Sequence, residues 1–151
     1  LHTFPGPSPA GIELAIMNLR LAPGLLEEIL AHAKAACPLE GCGLIAGLRP
    51  GEGERFIPME NALASSTAYE IDPGRLITVL RGMRDTGEEL VAIYHSHPSG
   101  PARPSKTDIE RAYYPHAAHL IVSLANPERP LAAAFMISGG EAVEVDLHVI
   151  V

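Results

Sequence analysis

Apolar positions recur along the chain in two patterns, one with helical spacing and one typical of strands. Helical spacing predicts three helices, over residues 23–36, 72–85 and 105–113. The second of these has a clear start at Asp72 and Pro73, because aspartate caps a first turn and proline tolerates the first helical position. The chain therefore contains three amphipathic helices separated by strand-like segments.

The strand-like segments either alternate between apolar and polar residues or run unbroken. Leu90–Tyr94 is continuously apolar, as in a strand covered on both faces, whereas Glu141–Val151 alternates. An edge strand is predicted at 18–22, and two further strands are predicted at 119–125 and 131–137. The segments LEGCGLIAGL and ERFIPMEN are predicted to form a hairpin around a loose turn at 51–53. The order β-α-β-β-α-β-α-β-β-β predicts an α/β domain with a mixed sheet flanked by three helices.

The N-terminal segment differs from the rest of the 151-residue chain. LHTFPGPSPAGIELAI is rich in proline and glycine and has no basic start before an apolar stretch, which argues against a signal peptide. We expect residues 1–17 to be a disordered tail and residues 18–151 to form the folded domain.

Charge and cysteine content narrow the classes of function. Eleven basic against 18 acidic residues give a formal net charge of −7, which argues against nucleic-acid binding. No apolar run reaches the roughly 18–20 residues that a membrane span needs. Only Cys37 and Cys42 are present, without a C-x-x-C pair, which favours a reducing, cytoplasmic location. A protein partner, including a second copy of the chain, stays open.

A histidine pair follows the unbroken apolar strand. If that strand stays extended for three more residues, His95 and His97 project from one face, since residues i and i+2 share a face. A proline-stiffened loop then leads to Ser105, which suits a helix cap, and to Asp108 in the first turn. Two imidazoles and one carboxylate suit one zinc ion per chain and leave a fourth position for water, but a general base is still missing.

Each part of this pattern also has a purely structural interpretation. Ser105-Lys-Thr-Asp108 matches a helix capping box, with aspartate in place of the usual glutamate or glutamine. A lone H-x-H pair is compatible with a polar loop entrance. The combination of a same-face histidine pair with a capped aspartate favours a metal site.

The same residues resemble the metal motif of the JAMM/MPN+ zinc peptidase family: His95-Ser-His97, seven residues, Ser105, two residues, Asp108. PLEGCG around Glu40 resembles the upstream segment of that family. FIPMENALASSTAYEIDP and IYHSHPSG look most like its short bacterial branch, the sulfur-carrier-protein–cysteine peptidases. The resemblance implies a cytidine-deaminase-like fold with a mixed, curved sheet. It also implies hydrolysis of the amide bond after the C-terminal glycine of a ubiquitin-like β-grasp sulfur-carrier protein.

The resemblance also implies a role for each motif residue. His95, His97 and Asp108 would be the zinc ligands. Glu40 would be the general base that takes a proton from the zinc-activated water and passes it to the leaving amine. Ser105 would help to stabilise the oxyanion of the tetrahedral intermediate.

Two other functions remain as alternatives. A non-catalytic MPN scaffold usually loses motif residues, and none is lost here. A zinc deaminase uses H-x-E with P-C-x-x-C, and neither pattern is present. Purified scaffold would lack stoichiometric zinc, and a deaminase would turn over cytidine in a chelator-sensitive reaction.

Several further residues have simpler explanations than a place in the site. Cys42, between two glycines, is expected to be a packed thiol. The histidines without partners at ligand spacing are expected on the surface or in the core: His32, His116, His119 and His148, with His2 in the tail. Arg103 and Lys106 flank the metal turn. Solubility explains them, and attraction of a substrate's terminal carboxylate is the functional alternative.

Overall fold

The computed structural model describes residues 18–151, and its centre is an eight-stranded mixed sheet. The strand order is β3-β1-β8-β7-β6-β5-β2-β4. The strands are β1 (Asn18–Leu21), β2 (Cys42–Gly47), β3 (Glu52–Gly53), β4 (Arg55–Met59), β5 (Glu89–His97), β6 (Ala118–Ser123), β7 (Leu131–Ser138) and β8 (Glu141–Val149). The predicted α/β architecture is confirmed. The tail predicted over residues 1–17 lies outside the described part of the chain.

The three helices cover both faces of the sheet. They are α1 (Leu25–Ala36), α2 (Pro73–Asp85) and α3 (Lys106–Glu110). Helix α1 buries Leu25, Ile29 and Ala33 in the main apolar core, which includes side chains of seven strands. Helix α2 packs on the opposite face through Met83, against side chains of β2, β4 and β5. Residues of α3 pack on side chains of β6 and β7. As predicted, Asp72 caps α2, since its Oδ2 accepts the Arg75 N–H at 3.0 Å.

Strand β5 positions the candidate site. It pairs antiparallel with β2 and parallel with β6, and it is buried from Val91 to His97. Because side chains alternate across a strand, Tyr94 and Ser96 point towards the α1 face, while His95 and His97 point towards the face of α2 and α3. The predicted extension of this strand through the histidine pair is confirmed.

The far side of the sheet differs from the prediction. β1 was expected at an edge, but it pairs parallel with β8 on one side and with the two-residue strand β3 on the other. β3 occupies the stretch predicted as a loose turn. A Cβ on Gly47 would lie 1.9 Å from the Glu52 carbonyl oxygen, so this close approach of two backbones requires glycine.

Helix α3 is shorter than the predicted 105–113. It ends at Glu110, and Arg111 is its C-cap with φ −104° and ψ 17°. Pro115 disfavours helical backbone at Tyr114, so the chain turns away, leaving the Tyr113 side chain 75% exposed. Within residues 18–151, no helix has the length and apolar character needed to cross a membrane.

Candidate metal centre

The structure brings together the three residues predicted as metal ligands. His95 Nε2 lies 3.1 Å from His97 Nε2. Asp108 Oδ2 lies 3.0 Å from His95 Nε2 and 3.1 Å from His97 Nε2. The three atoms form a nearly equilateral triangle. Two ligands of one tetrahedral zinc, each about 2.0–2.1 Å from it, are about 3.3–3.4 Å apart. The triangle is therefore slightly smaller than one face of a zinc tetrahedron.

Hydrogen bonds between neutral histidines and Asp108 do not explain this triangle. His97 Nδ1 lies 2.7 Å from the Pro101 carbonyl oxygen, which can only accept, so Nδ1 carries the proton. In neutral His97 the Nε2 atom is then a bare lone pair facing the Asp108 carboxylate. His95 Nδ1 is buried without a hydrogen-bond partner among the described residues. A single proton on His95 Nε2 cannot satisfy all three contacts.

The donor set fits a divalent cation of the zinc class. Three lone pairs converge within 3.1 Å of one another, two from imidazole and one from carboxylate. The Nδ1–H of His97 is anchored on a backbone carbonyl, an arrangement commonly found behind metal-binding histidines. A bound cation would accept these three lone pairs as ligands, which would account for the close contacts that lack a hydrogen between them.

Asp108 also belongs to the capping box of α3. Ser105 Oγ accepts the Asp108 N–H at 3.0 Å, and the Ser105 N–H donates to Asp108 Oδ2 at 2.9 Å. Asp108 therefore serves as the capping-box residue of α3 and as a candidate metal ligand at the same time. The cap fixes the Asp108 rotamer towards the histidines, and it leaves the hydroxyl proton of Ser105 free to donate.

Burial and the close charges act in opposite directions on the three side chains. Burial would raise the pKa of Asp108, but the close contacts with His95 and His97 and the hydrogen bond from the Ser105 N–H hold that pKa far below its usual range. Burial lowers the pKa of His95 despite its contact with Asp108. Burial also disfavours the charged form of His97, but bonds to Asp108 and Pro101 outweigh it and raise the His97 pKa.

Glu40 lies beside the histidine pair. Its side chain is 4% exposed, and Oε1 has no hydrogen-bond partner within the described chain. Burial raises the pKa of Glu40 to about 7, with His97 opposing and Asp108 reinforcing the shift. One carboxylate oxygen of Glu40 and one ring nitrogen of each histidine all lie within 4.8 Å of one another. Glu40 is thus a second candidate for the third ligand, but its fit is looser than that of Asp108.

The loop between α1 and β2 holds Glu40 at this place. After α1 ends, Gly41 donates its N–H to Ser96 Oγ at 2.8 Å and accepts the Ser96 N–H at 3.0 Å. Ser96 lies between the two histidines on β5, so these bonds join the Glu40 loop directly to the histidine strand. A Cβ on Gly41 would lie 2.7 Å from the Tyr94 hydroxyl, which explains the glycine.

An aromatic-lined cavity of about 480 Å³ adjoins Asp108. Its lining includes Tyr69, Tyr114 and Ile71, with His119 at one wall. The Tyr69 ring also stacks on His95, with ring centroids 4.6 Å apart and an interplanar angle of 23°. The cavity is therefore connected to the candidate metal centre through Asp108, which lines it, and through Tyr69, which contacts His95.

Sequence reasoning missed several residues around this cavity. Asn61 is the last residue of the predicted strand segment ERFIPMEN, and Tyr69 follows it eight residues later. Their contacts with Glu40 and His95 are long-range. The cation that lines the cavity is Arg111, whereas Arg103 and Lys106 are exposed and do not line it. Only the cluster of tyrosines near the metal motif could have indicated an aromatic wall.

The residues set aside in the sequence mostly lie where expected. Cys42 is fully buried, its Sγ is 3.6 Å from the Met59 carbonyl oxygen, and burial, reinforced by the charge of Glu40, raises its pKa to about 12. This is a packed thiol. His119 is a core histidine whose pKa is lowered to about 4, mainly by burial, with His95 adding to the shift. His32 Nδ1 contacts the Tyr94 hydroxyl at 3.2 Å, and His148 contacts Asn18 at the surface.

Sequence relatives with curated names share most of this chain. The CysO-cysteine peptidase of Mycobacterium tuberculosis is 39% identical over 127 residues, covering 83% of this chain and 87% of the relative. A probable TtuB-protein conjugate cleaving protease of Thermus thermophilus is 51% identical over 90 residues, covering 59% and 60%. A desampylase of Haloferax volcanii is 36% identical, covering 70% and 81%.

Solved structures agree with the fold. The solution structure of protein DSY2949 from Desulfitobacterium hafniense matches with a TM-score of 0.79 at 36% identity, covering 87% of this chain and 92% of that one. The JAB1/MPN domain protein AF2198 of Archaeoglobus fulgidus matches with a TM-score of 0.57 at 23% identity, covering 88% and 98%, which supports the fold alone. The family model of prokaryotic homologues of the JAB domain matches residues 22–137. The chain belongs to the prokaryotic JAB-domain family, in the JAMM/MPN class.

Proposed function

We propose that this chain is a zinc-dependent peptidase or isopeptidase. It hydrolyses the amide bond after the C-terminal glycine of a ubiquitin-like β-grasp sulfur-carrier protein. His95, His97 and Asp108 hold one zinc ion per chain, Glu40 is the general base, and Ser105 helps to stabilise the oxyanion.

The position of Glu40 carries this proposal. A buried carboxylate with an unsatisfied oxygen beside three converging lone pairs is costly for a protein to maintain. A purely structural role offers no compensation for that cost. Catalysis does, because a buried carboxyl without a hydrogen-bond partner for Oε1 among the described residues is free to accept and then release a proton.

Asp108 is the better third ligand of the two carboxylates. It contacts both imidazole nitrogens at 3.0–3.1 Å, close to the spacing that one zinc ion imposes. Glu40 lies within the looser limit of 4.8 Å. That larger separation suits a group that exchanges protons with a solvent molecule in the site rather than one that binds the metal.

Each residue then has a separate task. Zinc held in this site would supply Lewis-acid polarisation of the substrate carbonyl and would lower the pKa of a water to about 7. Glu40 takes the proton of the attacking water and delivers it to the leaving amine. The Ser105 hydroxyl, whose lone pair already accepts the Asp108 N–H, directs its proton to the developing oxyanion.

The substrate class rests on the relatives and on the cavity. Three relatives are named for cleavage of CysO–cysteine, of TtuB–protein conjugates, or as a desampylase. The cavity of about 480 Å³ is lined by Asp108 and by tyrosines, which suits an extended peptide tail better than a charged polymer.

The test is incubation of the purified protein with β-grasp carrier conjugates, followed by mass spectrometry of the products. One arm carries cysteine on the terminal glycine and another carries a protein lysine. We expect cleavage after the glycine, abolished by chelator, restored by zinc, and absent in His97→Ala. Intact conjugates with zinc-loaded protein would contradict the proposal, and stoichiometric zinc without turnover would leave a metal-binding scaffold as the explanation.

A further inference from the structure

Asn61 is the most densely bonded side chain near the site. Its Nδ2 lies 3.1 Å from the Glu40 carbonyl oxygen, 3.4 Å from that of Ser65 and 3.0 Å from that of Ala68. Its Oδ1 accepts the N–H of Leu63 at 3.0 Å and of Glu70 at 3.2 Å. One amide side chain therefore makes five contacts with the backbone.

These contacts fix the orientation of the amide group. A flipped Asn61 would place its oxygen against three carbonyl oxygens and its NH₂ group against two N–H donors. The amide has two hydrogens for three carbonyls, so the 3.4 Å contact with Ser65 is the weakest of the set. A replacement side chain would need both a donor and an acceptor to make the same contacts.

Asn61 joins Glu40 to the loop of residues 61–70. The Glu40 carbonyl oxygen accepts from Asn61, and the Glu40 N–H donates to the Ser65 carbonyl oxygen at 2.8 Å. Both backbone polar groups of Glu40 are thus bonded to this loop. The same loop carries Tyr69, which stacks on His95 and lines the cavity.

We propose that Asn61 is a positioning residue that sets the place of the Glu40 carboxylate relative to the histidine pair. Asn61 contacts neither histidine in the described structure, so it acts through the backbone of Glu40 and the 61–70 loop. This inference rests on the proposed function for the role of Glu40 in catalysis. The hold of Asn61 on the Glu40 backbone is testable without that role.

Asn61→Asp is the sharpest variant. It keeps the size of the side chain and the acceptor for Leu63 and Glu70, but it loses the donors to the Glu40, Ser65 and Ala68 carbonyls. Ser65→Ala is the matched control in the same loop. It removes the side-chain bond to the Thr67 N–H at 3.1 Å and leaves every Asn61 contact in place.

Amide hydrogen exchange tests the hold directly. In zinc-loaded protein, Asn61→Asp should accelerate exchange of the Glu40 amide by about tenfold or more, because its local opening becomes easier. The amide of Leu120 in central β6 should change much less, and Ser65→Ala should leave the Glu40 amide unchanged. Equal acceleration at Glu40 and Leu120, or none at Glu40, would overturn the proposal.

A double-mutant cycle tests the consequence for catalysis. Asn61→Asp should lower kcat by about tenfold to a hundredfold, as expected for a displaced catalytic group, with zinc content unchanged and a smaller effect on KM. In a Glu40→Ala background the same change should cost less than about twofold, because the two residues act as one unit. An equal loss in both backgrounds would overturn the proposal while leaving the peptidase assignment intact. A wild-type protein without turnover would contradict the proposed function instead. The hydrogen-exchange experiment would still test whether Asn61 fixes the Glu40 backbone.

Discussion

Replacing Glu40 with glutamine should stabilise the metal-free protein at alkaline pH while abolishing its activity. The folded-state pKa of Glu40 is raised from 4.5 to about 7, mainly by burial. Below pH 4.5 the carboxyl is protonated in both states, and glutamine resembles it closely. Between pH 4.5 and 7 the unfolded chain ionises first, so the wild type loses stability, and above pH 7 the loss is complete.

The magnitude follows from the size of this shift. At 1.36 kcal/mol per pKa unit it corresponds to about 3 kcal/mol, which solvent at the mouth of the site reduces to about 1–3 kcal/mol. Activity should fall by about 10²-fold or more, the scale of a lost general base. Zinc must be removed for the stability comparison, because a nearby cation would lower the pKa of Glu40.

The assay is denaturant unfolding of chelated wild type and Glu40→Gln at pH 5, 6, 7 and 8. The exposed Glu128→Gln serves as control, since it makes the same chemical change at the surface, away from the site. The stability difference should grow with pH and favour the variant at pH 8. A variant that is equally or less stable at pH 8 would refute the reasoning, since Glu40 would then have a stabilising partner in the folded state.

Three further predictions concern residues around the same site. Ser105→Ala should lower kcat by about 10²–10³-fold with KM and zinc content retained, as for a lost oxyanion donor. It should also lower the free energy of unfolding by about 1 kcal/mol, because the helix cap is lost. An unchanged kcat in steady-state assays would show that Ser105 has no role in catalysis. Arg111→Ala should raise KM for a substrate whose leaving residue has a free carboxylate, but not for the same substrate with that carboxylate amidated. Arg103→Ala should change neither KM, because Arg111 lines the cavity and Arg103 does not. Equal effects of Arg111→Ala on both substrates would exclude carboxylate recognition. His119, with a folded-state pKa of about 4 against an ordinary 6.5, should make chelated protein lose stability as pH falls from 6.5 to 4, since the unfolded chain binds the proton first. His119→Gln should flatten that dependence in unfolding experiments, and an unchanged slope would place the titration elsewhere.

The site elements that follow local rules were predictable from sequence. Strand alternation places His95 and His97 on one face, and capping chemistry turns Asp108 towards them. Both rules act over a few residues and therefore leave a pattern in the sequence. The identification of Glu40 needed the family resemblance, because one loop carboxylate among 18 acidic residues has no local pattern.

The elements that depend on distant contacts were not predictable in this way. Asn61 contacts a residue 21 positions away, and the strand pattern that ends at Asn61 does not indicate this contact. β3 is only two residues long and exists because β1 pairs with it. The position of β1 inside the sheet depends on β8, more than a hundred residues later. Tertiary pairing, rather than local propensity, decides each of these features.

The metal content of two carboxylate variants tests the account most directly. Wild type, Glu40→Gln and Asp108→Asn are purified in parallel, loaded with zinc, freed of excess metal by gel filtration, and measured by elemental mass spectrometry. We expect about one zinc per chain in wild type and Glu40→Gln and little in Asp108→Asn, since Asp108 completes the ligand triangle. Zinc that is lost with Glu40 but kept without Asp108 would make Glu40 the ligand and contradict its assignment as the general base.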